Sequence, residues 1–155
     1  VDSANLQELQ QSHDKFSGEI IRHARGVEEL LELVIAKQCM YRKYEARIVC
    51  KENAHKLNFK GKVKGFEEIC VAENLLTQNE LKEIISSLQY IREIRNKIAH
   101  SERYLVGGRI SIRFPQLAPL IIDESLVNKI KEQRLKVLPA LVKIIQKFQE
   151  LSQSI

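Results

Sequence analysis

Between Phe16 and Met40 the apolar residues Ile20, Ile21, Ala24, Val27, Leu30, Leu31, Val34 and Ile35 follow one another at intervals of three and four. A strand cannot bury such a set, because its side chains alternate between faces, whereas a helix returns to the same face about every 3.6 residues. The spacing predicts a long amphipathic helix here, with continuation through YRKYEARIVC left open. It returns between Asp123 and Gln153 at Leu126, Ile130, Val137, Leu141, Ile144, Ile145, Phe148 and Leu151. Two long, one-sided helices must therefore find each other and the residues between them.

Those intervening residues carry more punctuation. Leu57 to Gly65, with Gly61 and Gly65, reads as a connection, followed by a short helix across Phe66, Ile69, Cys70 and Leu75. Thr77 stands three residues before Glu80, the spacing of a capping box, and opens a helix through Leu81, Ile84, Leu88, Ile91 and Ile98. YLVGGRISIRFP then gives two short apolar runs around Gly107-Gly108, a small β-hairpin or extended excursion near 104–114 that Pro115 ends. Pro139 should kink or split the last helix. With 44% hydrophobic residues among 155, and only three prolines, the chain is predicted to be one all-α helical-bundle domain spanning 1–155.

Several function classes drop out. No apolar run reaches the ~18 residues of a bilayer span, and the first twenty residues lack the order of a signal peptide, so a soluble, cytoplasmic protein with no membrane partner is expected. Cys39, Cys50 and Cys70 show no close pairing, which fits reduced thiols. A zinc site joining His55 to these cysteines has poor spacing, and neither metal nor cofactor is expected. GKVKG does not satisfy the phosphate-loop pattern, and the G-x-G-x-x-G, H-E-x-x-H and G-x-S-x-G signatures are absent. The net charge of +5 is concentrated in KENAHKLNFKGKVK (51–64) and in Arg103, Arg109 and Arg113. These residues suit either a phosphate track or a solvated face.

The stretch YIREIRNKIAHS, residues 90–101, raises a sharper question. With Ile84 at zero on a helical wheel, Leu88, Ile91 and Ile98 fall at about +40, −20 and −40 degrees, and Arg95 at about +20. Arg95 is thus predicted to project from the apolar stripe. A charge there must meet a carboxylate, such as Asp123 or a glutamate of the first helix, reach solvent at the helix end, or face another molecule. Taken alone, His100 reads as a helix-end histidine satisfied by the last carbonyls before it reads as a catalytic group.

Together, Arg95, Asn96 and His100 form R-N-x-x-A-H, which resembles the signature of the HEPN superfamily: an arginine, a polar residue and then a histidine near the end of an amphipathic helix. FKGKVKGFEEIC followed by LKEIISSLQYIREIRNKIAHS is similar to the layout of members related to the mannitol operon repressor. The resemblance covers roughly residues 16 to 150 in architecture and about fifty residues around the motif in sequence.

It implies a HEPN-like bundle and a homodimer in which two motif helices bring both arginines and both histidines into one cleft. The implied activity is metal-independent endoribonuclease cleavage, with toxin–antitoxin or defence systems as the setting, RNA as substrate, and an antitoxin or regulatory protein as a further partner. One His100 would take the proton of a ribose 2′-hydroxyl while its counterpart protonates the leaving 5′-oxygen, giving 2′,3′-cyclic phosphate and 5′-hydroxyl ends. Arg95 would hold the phosphate oxygens as a planar donor, and Asn96 would orient the histidine or touch the phosphate. Lys97, Ser101 and Arg103 are implied substrate contacts, and Tyr104 a candidate for nucleotide modification. The same resemblance admits a non-catalytic regulatory or binding protein.

Overall fold

The computed structural model describes residues 3–42, 54–100, 102–106, 109–113 and 120–153. Four helices carry most of the chain: α1 (Ser3–Arg42), α2 (Phe59–Ala72), α3 (Gln78–Ala99) and α4 (Glu124–Gln153). Between α3 and α4 lie three short strands, β1 (Glu102–Val106), β2 (Arg109–Arg113) and β3 (Leu120–Ile121), in antiparallel order β1-β2-β3. The architecture is an all-α bundle with a small sheet at the end of α3.

Each one-sided helix buries its stripe against two neighbours. α1 packs most extensively on α4, α4 on α3, α3 on α2 and α2 on α1, which closes a ring; α1 and α3 also touch across it. Ile20, Val27, Leu31 and Val34 of α1 meet Phe66 of α2, Leu88 and Ile91 of α3, and Ile130, Leu141 and Phe148 of α4 in one fully buried cluster. Helix propensity alone leaves isolated helices marginal, so this shared core holds them.

The first helix begins well before the predicted Phe16. Its buried stripe runs upstream through Ser17 and His13, 6% and 3% exposed, three and seven residues before Ile20. Polar residues at inward positions hid the periodicity. Continuation of α1 through residues 43–50 lies outside the described residues.

The expected connection across Leu57 to Gly65 is largely helix, because α2 already starts at Phe59. Asn58 accepts the Gly61 N–H at 2.8 Å, supplying the N-cap, and Phe59 and Val63 are buried on the same face as Phe66. Gly65 has a packing reason to lack a side chain: a Cβ there would stand 3.2 Å from Ile35 Cδ1 of α1. The helix stops in a Schellman arrangement. Asn74 turns left-handed at φ 51, its N–H donates to Val71 O at 3.3 Å, and the Leu75 N–H donates to Cys70 O at 3.1 Å.

Thr77 and Glu80 exchange the two hydrogen bonds of the predicted capping box, both at 3.2 Å, at the start of α3. In α4, Asp123 Oδ1 accepts the Leu126 N–H at 2.9 Å. The predicted split at Pro139 does not occur, and one helix runs through it. Proline lacks the N–H that would donate to the carbonyl of Leu135, and Leu135 lies on the exposed side of the helix, away from the core. The hairpin expected near 104–114 occupies Glu102–Val106 and Arg109–Arg113, with Val106 opposite Arg109; the third strand was unforeseen. The conformation of Gly107-Gly108 lies outside the described residues. β2 rests on α1 and α3, fixing where the chain leaves the motif helix.

Candidate functional site

The last two turns of α3 carry the motif. The buried residues of this helix are Ile84, Ser87, Leu88, Ile91 and Ile94. Ser87 and Ile94 fall at about −60 and −80 degrees on the same wheel, so the buried stripe is centred to one side of Arg95. Arg95, at about +20 degrees between Ile84 and Leu88, still lies within that stripe and is half-buried, as Ile98 is, because burial falls off toward the end of the helix. Its guanidinium Nη1 donates to Asn96 Oδ1 at 3.4 Å.

Three of the carboxylates considered for Arg95 are engaged elsewhere. Asp123 caps α4, and Glu28 and Glu32 of α1 hold Lys62 at 3.0 and 3.3 Å. Among the described residues, no ion pair to Arg95 occurs. Asn96, Lys97 and Ile98 are half-buried, while His100 is exposed. His100 is the C-cap of α3, with φ −122 and ψ 23, and its N–H donates to Asn96 O at 3.0 Å. Lys97 stands in the last turn, where the partial negative charge of the helix end favours a cation.

The end of the helix thus carries Arg95, Asn96, Lys97 and the C-cap His100, and Arg95 contacts Asn96 directly. Four residues lie between Arg95 and His100, which a regular helix would place about 140 degrees apart around the axis. Within a single chain the two side chains leave the helix in different directions. Ser101 lies outside the described residues. Arg103 and Tyr104 sit in β1, with backbones paired to Ile112 and Ser111, and their side chains lie outside the described residues.

The expected basic track loses a member. Lys62 is 5% exposed and turned inward between Glu28 and Glu32, leaving Lys56, Lys60 and Lys64 exposed around it. His55 joins the same cluster, its Nδ1 2.9 Å from Glu32 Oε1. Burial works to raise the Glu32 pKa, but hydrogen bonds from His55 and Lys62 outweigh it and hold the carboxyl below its usual range. The spacing of Glu28 and Glu32, one turn apart on α1, was the available sequence signal. Cys70 is buried, and desolvation, with help from Glu67, pushes its thiol up to about 12. Cys50 lies outside the described residues. Among those described, no three His, Cys, Asp or Glu side chains group to hold a metal ion.

Sequence reading also missed two features involving α4. A cleft of about 680 Å³ opens between the first half of α3 and α4, lined by Lys82, Ser87, Gln133 and Lys136, with the Ser87 hydroxyl donating to Gln133 Oε1 at 2.8 Å. Against α1, Arg134 reaches His23. Among the described residues no helix is long and apolar enough to cross a membrane. The chain matches no family model, no curated protein and no solved structure.

Proposed function

We propose that the chain is a HEPN-type, metal-independent endoribonuclease that acts in the cytoplasm as a homodimer through α3, as a toxin or defence component. The observation that carries this reading is Arg95: a half-buried arginine at a helix end, its guanidinium joined to Asn96, with no ion-pair partner among the described residues. An exposed His100 caps the same helix. Burying a cation part-way without a counter-charge costs stability, and a substrate phosphate would supply that counter-charge. The divergence of Arg95 and His100 around one helix favours a composite site, in which a second copy's α3 end completes the cleft.

In that cleft one His100 takes the 2′-hydroxyl proton, the 2′-oxygen attacks phosphorus, and the P–O5′ bond breaks. The partner protomer's histidine gives its proton to the departing 5′-oxygen, and Arg95 with Asn96 holds the non-bridging oxygens. Lys97, Ser101 and Arg103 border the RNA path. DNA, lacking the 2′-hydroxyl, is not cleaved.

A regulatory HEPN protein that binds a partner is the second reading. It is favoured by the absence, among the described residues, of a carboxylate holding the His100 ring. Purified wild type, Arg95→Ala and His100→Ala are incubated with total RNA and a labelled oligonucleotide in EDTA, and product ends are read. Cleavage to cyclic phosphate by wild type, reduced by about 10²–10⁴ in His100→Ala, supports the nuclease. No cleavage by a folded wild-type dimer sends the assignment to the regulatory reading.

A further inference from the structure

Glu19, Arg22, His23 and Gly26 share one face of α1, and Lys131 and Arg134 stand one turn apart on α4. The two helices meet where Arg134 Nη1 lies 2.8 Å from His23 Nδ1. A guanidinium has no acceptor, so His23 accepts through Nδ1 and carries its proton on Nε2. This is a weak use of an arginine. Its Nε is buried without a hydrogen-bond partner among the described residues, and no carboxylate there pairs with it. The side chain at position 26 is a hydrogen; a Cβ would stand 3.7 Å from Arg134 Nη2, so the guanidinium lies close over the α1 backbone.

The surroundings add positive charge from both helices. Burial chiefly, then Arg134, Lys131 and Arg22, hold the His23 pKa below that of an ordinary imidazole, while Glu19 opposes them. Nearby Arg25 is already neutralised by Glu29 at 3.3 Å. What remains is a half-buried arginine with no carboxylate partner among the described residues, an exposed lysine and an exposed arginine, and one glutamate among them.

We infer that Arg134, Lys131, Arg22 and His23 form a phosphate-binding site between α1 and α4, separate from the α3 motif. Arg134 supplies the planar donors that match phosphate oxygens, and Lys131 and Arg22 close the site as point charges. An arriving dianion offsets the local positive charge, so His23 takes up a proton on Nδ1; the ring then no longer accepts from Arg134, whose guanidinium is released toward the phosphate. The shared chemistry, a phosphate group, is available from free phosphate or from a polynucleotide backbone.

The test is an NMR pH titration of all four histidine rings in the full-length protein. It is run in chloride, in inorganic phosphate at matched ionic strength, and with a short single-stranded oligodeoxynucleotide, which the proposed chemistry cannot cleave. The His23 pKa should rise by roughly one unit with phosphate or oligonucleotide and not with chloride. A rise with phosphate alone assigns the site to free phosphate, and a rise with the oligonucleotide assigns it to the backbone. Identical His23 titrations under all three conditions overturn the inference, as does a response confined to His100, which would belong to the motif. Arg134→Gln should abolish the phosphate-induced rise. If that variant does not fold, the exposed double variant Arg22→Gln, Lys131→Gln should weaken phosphate binding several-fold; unchanged binding overturns the site.

Discussion

Replacing Lys62 by methionine should be among the most damaging single changes in this bundle. The substitution keeps the apolar stem, so no cavity opens, and removes only the ammonium that stands 3.0 Å from Glu28 and 3.3 Å from Glu32. Removing one partner of a fully buried ion pair costs about 3–5 kcal/mol. Here the glutamate side chains keep 18% and 24% exposure, and water can partly solvate them, which lowers the expected cost to roughly 2–3 kcal/mol. For a chain of this length that corresponds to a fall in Tm of roughly 5–10 °C.

The pH dependence has a definite sign. The Glu32 pKa lies below its unfolded value in the wild type, so its contribution is full above the ordinary carboxylate range and is lost as pH falls through the depressed value. Without Lys62 the opposing effect of burial gains weight, so the variant is penalised at neutral pH and relieved in acid. The gap between the two should therefore narrow from pH 7 to pH 4 in urea melts followed by circular dichroism. The triple variant Glu28→Gln, Glu32→Gln, Lys62→Met should recover most of the loss. A Lys62→Met cost below about 0.5 kcal/mol at pH 7, or a gap that widens in acid, would refute the reasoning.

Three further outcomes follow from local geometry. Thr77→Ala removes one half of the α3 capping box and should cost about 1 kcal/mol in chemical denaturation, whereas Thr77→Ser should cost much less. Gly65→Ala gains about 1 kcal/mol of helix propensity but must displace Ile35 Cδ1 from 3.2 Å. Its effect should improve in an Ile35→Val background, and additivity in that double-mutant cycle would sink the packing argument. Cys70, buried and with its thiol held up to about 12, should resist iodoacetamide at pH 8 in the native protein and react in urea, as read by peptide mass mapping.

Residue spacing revealed the helices wherever the inward positions were apolar, which is why α3 and the body of α4 were legible. It failed at His13 and Ser17, where a polar residue occupies a buried position and only the tertiary fold shows it. The glycines at 61 and 65 signalled a break, yet the Asn58 cap and the close approach of α1 make them compatible with helix. The wheel places Arg95 between Ile84 and Leu88, and its half-burial reflects the falling cover toward the helix end, which periodicity alone does not show. The pairings of Lys62 with Glu28 and of Arg134 with His23 join distant parts of the chain, and no local pattern encodes them.

That last pairing links residues 111 apart in sequence, and it belongs to the most extensive helix contact in the bundle, between the first helix and the last. During synthesis α1 leaves the ribosome with Ile20, Val27, Leu31 and Val34 uncovered, and α2 and α3 cover only part of that stripe. Its principal partner appears only once Glu124–Gln153 has been made, long after α1, at roughly 5–20 residues per second. Until then the nascent chain is a sticky, incomplete ring. A stalled or truncated message that omits α4 should accordingly yield chaperone-bound or aggregated fragments, with the bundle closing only as α4 arrives.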